Sequence, residues 1–198
     1  MTKKALKHVR KLAISFLVGT SAAVVLTGQG KPGFSQGPSH DEQGTLEVRV
    51  KDHREAIADF SKLEIVVDTI RIGPKANVKF WLEGLKTSLE KIDLTKYTGK
   101  RSATIFRGAV RQGNFGAIDL KLKGVEGVLK KTGSQVPVKN LLRPITLSFS
   151  THPKETTSIV LDLAVMDMSD HPPRSYELLI KGYELYANGK LIDKAPPG

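Results

Sequence analysis

From Gly44 onward, apolar and polar residues alternate with a period of two, which marks half-buried β-strands. "TLEVRV" sets Leu46, Val48 and Val50 against Glu47, Arg49 and Lys51. "KLEIVVDTIRIG" groups Leu63, Ile65, Val67 and Thr69 on one face, with Glu64, Val66, Asp68 and Ile70 opposite. "NVKFWLEG" reads as a short aromatic strand ending at Gly84. "AIDLKLKG" aligns Ile118, Leu120 and Leu122 against Asp119, Lys121 and Lys123. "GVLKKTGSQVPV" reads as a hairpin with Gly133 in the left-handed region at its turn. "PITLSFS" and "TTSIVLDLAV" follow as strands, and Asn188-Gly189 marks a tight turn within the last strand segment. Helical patterns are scarce: "DHREAIADFSK" has room for one turn, and "LEKIDLTKYTG" for a strand edge or short turn. About eight short strands separated by turn signals predict an all-β fold. The expected form is an antiparallel β-sandwich, immunoglobulin-like or prealbumin-like.

Three strands carry an aspartate among apolar neighbours: Asp68, Asp119 and Asp162. Antiparallel sheets commonly leave one face in water. The favoured expectation therefore places each carboxylate on a solvated face beside a cross-strand Lys or Arg, for well under about 1 kcal/mol. The alternative is an envelope hydrolase in which these acids converge. Paired carboxylates doing acid/base work need one raised pKa and a separation of about 5–10 Å.

The amino terminus breaks the strand pattern. "MTKKALKHVRK" is basic, and Leu12–Gly28 carries no charge over its 17 residues. This order is that of a secretory signal, and the run falls short of the roughly 20 apolar residues of a spanning helix. Residues 1–28 are therefore expected to be a signal peptide or, if uncleaved, a signal anchor, and to form a helix. Residues 29–43, with three Gly and two Pro, read as a flexible linker, and 44–198 as one β-domain. Either form of the leader predicts export to the periplasm, cell envelope or exterior, with membrane attachment only through this segment.

Composition adds limits. The 198 residues carry 31 basic and 20 acidic side chains, a net of +11. Six of the bases lie in the first 40 residues, which hold no acid, leaving 25 against 20 beyond them, a net of +5. The bases there are scattered, without the basic stripe and interleaved aromatics of a nucleic-acid binder. Cysteine is absent, which removes disulfides, thiolate metal sites and lipid attachment. No nucleophile elbow, phosphate loop, zinc-helix motif, calcium loop or dinucleotide fingerprint occurs. No cofactor is expected. Asp167, Asp170 and His171 in "DMSDHPPRS" are weak candidates for a divalent cation. Phe80 and Trp81, adjacent and so on opposite strand faces, are candidates for core packing on one side and a surface that stacks on sugar or protein on the other.

The order "GTLEVRVKD", "FSKLEIVVDTIRI", "VRQGNFGAIDLKLKGVEGVL", "KETTSIVLDLAV" and "YELLIKGYEL" resembles the family called domain of unknown function 4382. The matching positions are the opening G-x-L-x-V-x-V-x-D, then Gly113, Phe115, Ile118 and Leu120, then Thr156, Thr157, Leu161 and Asp162, over about residues 44–187. The resemblance implies an exported, often membrane-anchored all-β domain, frequently a lipoprotein, with no established catalytic residues. Without cysteine, this chain lacks the lipid anchor. The combined expectation is a non-catalytic binding or structural module for protein or glycan.

Overall fold

A computed structural model describes residues 43–74, 81–168 and 175–196. The expectations for residues 1–42, for Phe80 and for Asp170 and His171 fall outside them. Eleven strands are described: β1 (Gln43–Asp52), β2 (Phe60–Pro74), β3 (Glu83–Lys86), β4 (Lys91–Asp93), β5 (Ala103–Arg111), β6 (Gly113–Leu129), β7 (Gln135–Asn140), β8 (Ile145–Thr151), β9 (Thr156–Asp167), β10 (Tyr176–Ala187) and β11 (Lys190–Ala195). Two 3-10 turns, Ala56–Asp59 and Leu94–Lys96, fall where short turns are expected. Gly133 (φ +67) turns the β6–β7 hairpin, and Asn188 and Gly189 (φ +48 and +80) turn β10 into β11.

The all-β expectation holds, but the antiparallel sandwich is corrected. The strands form one sheet path, β3-β2-β6-β7-β10-β9-β1-β5, with β4, β8 and β11 attached beside it. Two of its pairings are parallel, β1 with β9 and β7 with β10. The path nearly closes on itself as a mixed, barrel-like sheet: past β3, the Ser88 N–H and hydroxyl both donate to the Ile105 carbonyl of β5. The cause lies in β2 and β6, which run 15 and 17 residues and pair along most of their length through four register shifts. Bulges sharpen twist and bend strands. The early part of β6 pairs β8 and its end pairs β7, so a single coiled sheet replaces two flat layers.

The inward side chains make one core. β1 contributes Leu46, Val48 and Val50, all with no exposed surface. β9 adds Ile159, Leu161, Leu163 and Val165. Phe60 meets Tyr176 edge-on at 4.7 Å, and Phe115 stacks on Phe149 at 5.0 Å. Each such side chain contributes about 1.5–3 kcal/mol of burial, and the core is closed tightly at its edges. A Cβ on Gly44 would stand 2.5 Å from the His152 carbonyl oxygen, against backbone that cannot swing away. Gly44→Ala is accordingly expected to cost about 1–2 kcal/mol in a urea melt, and no loss would contradict this close approach.

The face assignments are corrected in one strand. Asp68 lies at a β2 bulge, between the pairs Val67–Leu122 and Thr69–Lys121. The extra residue reverses the phase, so Leu63, Ile65 and Val67 are buried but so are Ile70 and Ile72. The strand expected to begin in the 77–80 stretch is described only from Glu83.

Candidate functional site

The three aspartates do not share a site. Asp68 is half exposed, 3.9 Å from Lys123. Asp119, expected on a solvated face, is fully buried, because the β2–β6 register places Arg71 directly opposite. Arg71 Nε donates to Asp119 Oδ2 at 3.0 Å, its Nη2 joins the same oxygen, and Lys121 Nζ lies 3.3 Å away. Trp81 covers the guanidinium, its ring centre 4.8 Å from the central carbon, so one face of this aromatic is occupied from within the chain. Asp162, also expected in water, is buried too, with Lys51 at 3.5 Å and His53 Nδ1 at 3.4 Å. Each carboxylate thus belongs to its own ion-pair group. Asp167 ends β9 opposite Tyr176. Among the described residues, no three His, Asp or Glu side chains are placed to hold a metal ion.

The outer face of β5, β1, β9 and β10 does gather chemistry. Alternation along β1 points Glu47, Arg49 and Lys51 outward. In the neighbouring strands Arg49 lies beside Thr104 and Val160, and Lys51 beside Asp162. β10 brings Glu184 opposite Val160 and Tyr186 opposite Ser158. Glu47 is satisfied by the hydroxyls of Thr104 and Ser158, with Arg107 at 3.8 Å. Lys51 Nζ donates to Glu184 at 2.8 Å, and the Tyr186 hydroxyl donates to the other Glu184 oxygen at 2.6 Å. Arg49 differs. Neither register neighbour carries a carboxylate, and its buried Nε has no hydrogen-bond partner.

Residues Gly99, Lys100 and Ser102 wall this face, leaving a cleft of about 330 Å³ over Arg49, Lys51, Glu184 and Tyr186. The loop is fastened to β1 by the Asp52 N–H, which donates to the Tyr97 carbonyl at 2.8 Å. Gly99 adopts φ +68, a left-handed backbone that favours glycine, and the end of the Arg54 side chain lies against it. A second cavity of about 280 Å³ shares Lys51, Gly99 and Lys100 and is lined by Asp52, His53 and Asp162 as well.

Local electrostatics separate the two cavities. Burial pulls the Lys51 ammonium down, but the Glu184 hydrogen bond and the Asp162 charge outweigh it, so its pKa is raised. Hydrogen bonds from Lys51 and then Tyr186 lower Glu184. The bond to Glu184, with burial, raises Tyr186. Both Lys51 and Glu184 are therefore charged at neutral pH and neutralise each other. Asp52 is raised to about 6, chiefly by burial, against the Arg54 N–H that bonds Oδ2 at 2.7 Å, with Asp162 adding to the rise. Oδ1 of Asp52 and Oδ1 of Asp162 are both buried without a hydrogen-bond partner.

Apart from Asp162, these residues went unmarked in the sequence as a site. Two signals were present: charges at successive outward positions of β1, and Asp52 falling in the inward register of Leu46, Val48 and Val50.

A family model described as a domain of unknown function (DUF4382) matches residues 43–178. No curated protein and no solved structure matches the chain. The matched span runs from β1 into the start of β10, so it takes in Arg49, Lys51, Asp52, Lys100 and Asp162 but not Glu184 or Tyr186. The match spans the first four of the five strand stretches that suggested this kinship and only the first residues of the fifth, and the chain belongs to the DUF4382 family.

Proposed function

We propose that this protein is an exported, non-catalytic binding module whose glycan or protein ligand docks on the outer face of β5, β1, β9 and β10. The observation that carries the binding half is Arg49, a cation on the floor of a cleft whose buried Nε lacks an acceptor. A buried polar group without a partner costs roughly 1–3 kcal/mol, a cost that an incoming acceptor removes. The export half rests on the basic start and the uncharged run of residues 1–28. Neutral and acidic glycans and acidic polypeptides, immobilised and washed at low and high salt, test the binding half. Capture of an acidic ligand that weakens as salt rises from about 50 to 500 mM is expected, since screening acts on exposed charges such as Lys100. No capture of any ligand at low salt defeats the reading. Amino-terminal sequencing of protein recovered outside the cytoplasm tests export, and retention inside the cytoplasm defeats it.

A hydrolytic reading has one observation in its favour, and it concerns a different pair from the three strand acids. Asp52, raised to about 6, stands beside Asp162 on one cavity. A buried carboxyl group raised toward neutrality and facing a second carboxylate is a pattern of acid/base enzymes. Turnover of a bound oligosaccharide that disappears in Asp52→Asn would replace the non-catalytic reading.

A further inference from the structure

We propose that the cleft over Arg49 is a subsite for one carboxylate-bearing sugar ring, a hexuronic acid residue of an acidic glycan. The inference rests on the binding reading above and narrows it to a ligand class.

Unmet charge sets the sign of the ligand. Asp162 and Glu184 already hold Lys51, and Glu47 is occupied by two hydroxyls and Arg107. What remains is cationic: Arg49 Nε without an acceptor, and exposed Lys100 on the wall without an ion pair among the described residues. A planar guanidinium accepts a carboxylate through two parallel hydrogen bonds, which a lone ammonium cannot do. Size sets the extent. At about 330 Å³ the cleft lies at the small end of ligand sites, room for one ring rather than a dinucleotide or a folded peptide segment.

The remaining walls suit a sugar. Tyr186 is half buried and its hydroxyl is held by Glu184, so the orientation of the ring is fixed before a ligand arrives. An aromatic face next to polar groups fits a pyranose, which has apolar C–H faces and an equator of hydroxyls. Glu184 and the Ser102 hydroxyl provide an acceptor and a donor for that equator. A nucleic acid fits worse, because phosphate tracking needs a continuous basic groove and this cleft has two free cations flanked by carboxylates.

The full-length protein would be titrated by NMR and calorimetry with glucuronate and galacturonate tetrasaccharides. Their carboxyl-methyl-esterified counterparts and inorganic phosphate complete the panel. At least one free acid is expected to bind ten-fold or more tightly than its ester and than phosphate. Arg49→Gln should weaken that acid ten-fold or more with an unchanged circular dichroism spectrum and a melting temperature no lower than the parent's. Lys100→Gln should weaken it several-fold, and Tyr186→Leu should weaken acid and ester alike. Lys139→Gln, on β7 and paired with Glu177, should leave binding unchanged. Equal binding of acid and ester, equal binding of phosphate, or indifference to Arg49→Gln each overturns the uronate subsite. Capture of a neutral glycan or a protein alongside any of those results leaves the broader binding reading intact, while silence of every ligand removes both.

Discussion

Arg71→Met is expected to destabilise the domain by about 3 kcal/mol in urea or thermal unfolding. Asp119 has no exposed side-chain surface, and one of its oxygens has no hydrogen-bond partner. Its other oxygen is held by Arg71 through two nitrogens and by Lys121 at 3.3 Å. Removing one partner of a buried pair typically costs about 3–5 kcal/mol, because the other charge is left uncompensated. Lys121 remains and places the loss at the lower end. Loss of the guanidinium beneath Trp81 adds about 0.5–1 kcal/mol. The double variant Arg71→Met with Asp119→Leu is expected to regain most of the deficit, since an apolar pair of similar volume needs no desolvation. If the double variant is as unstable as the single one, Asp119 is not the source of the cost. The site would then be ordinary packing.

Asp52→Asn is expected to stabilise the domain at pH 8 and to do nothing at pH 4. An acid raised from 3.8 to about 6 by folding is penalised when it ionises. The folded state keeps its proton between those values while the unfolded state has lost it. Stability therefore falls as pH rises through this window, and below pH 3.8 the penalty is absent. A shift of about two units corresponds to roughly 3 kcal/mol, the upper bound for the gain at pH 8. Asparagine keeps an oxygen for the Arg54 N–H but buries an amide in place of the orphaned Oδ1, which trims the gain. Titrating groups remote from Asp52 are common to both proteins and cancel in the difference. Melting curves of both proteins from pH 4 to pH 8 provide the check. A gap that stays constant with pH would mean that Asp52 does not titrate in this range.

The destabilised carboxylate at the end of β1 lines the second cavity, next in sequence to Lys51, which lines both. A residue that costs stability persists when surrounding structure holds it in place, and such residues cluster where proteins bind or react. Arg54, the residue whose N–H bonds Asp52, itself adopts φ +75, and its side chain lies against Gly99 in the loop that walls the cleft. The strained turn, the buried acid and the unpartnered Nε of Arg49 thus concentrate within six residues of β1 and its exit.

Strand content, the inward set of β1, the hairpin turns at Gly133 and Asn188-Gly189, and the family were all legible in the sequence. Each is local: two-residue alternation reports which side of a strand is apolar, and a turn residue reports its own backbone freedom. The tertiary structure alone decided which strands lie side by side, that two pairs run parallel, and that the sheet curls toward closure. Alternation looks the same in either orientation and is silent about neighbours. It also fails at a bulge, which is why Asp68 reverses the face of Ile70. Asp119 and Asp162 read as wet because their charge was visible while their partners were not. Arg71 stands 48 residues from Asp119, and Lys51 stands 133 residues from Glu184, so only the register of distant strands could bury the acids and leave Arg49 without one.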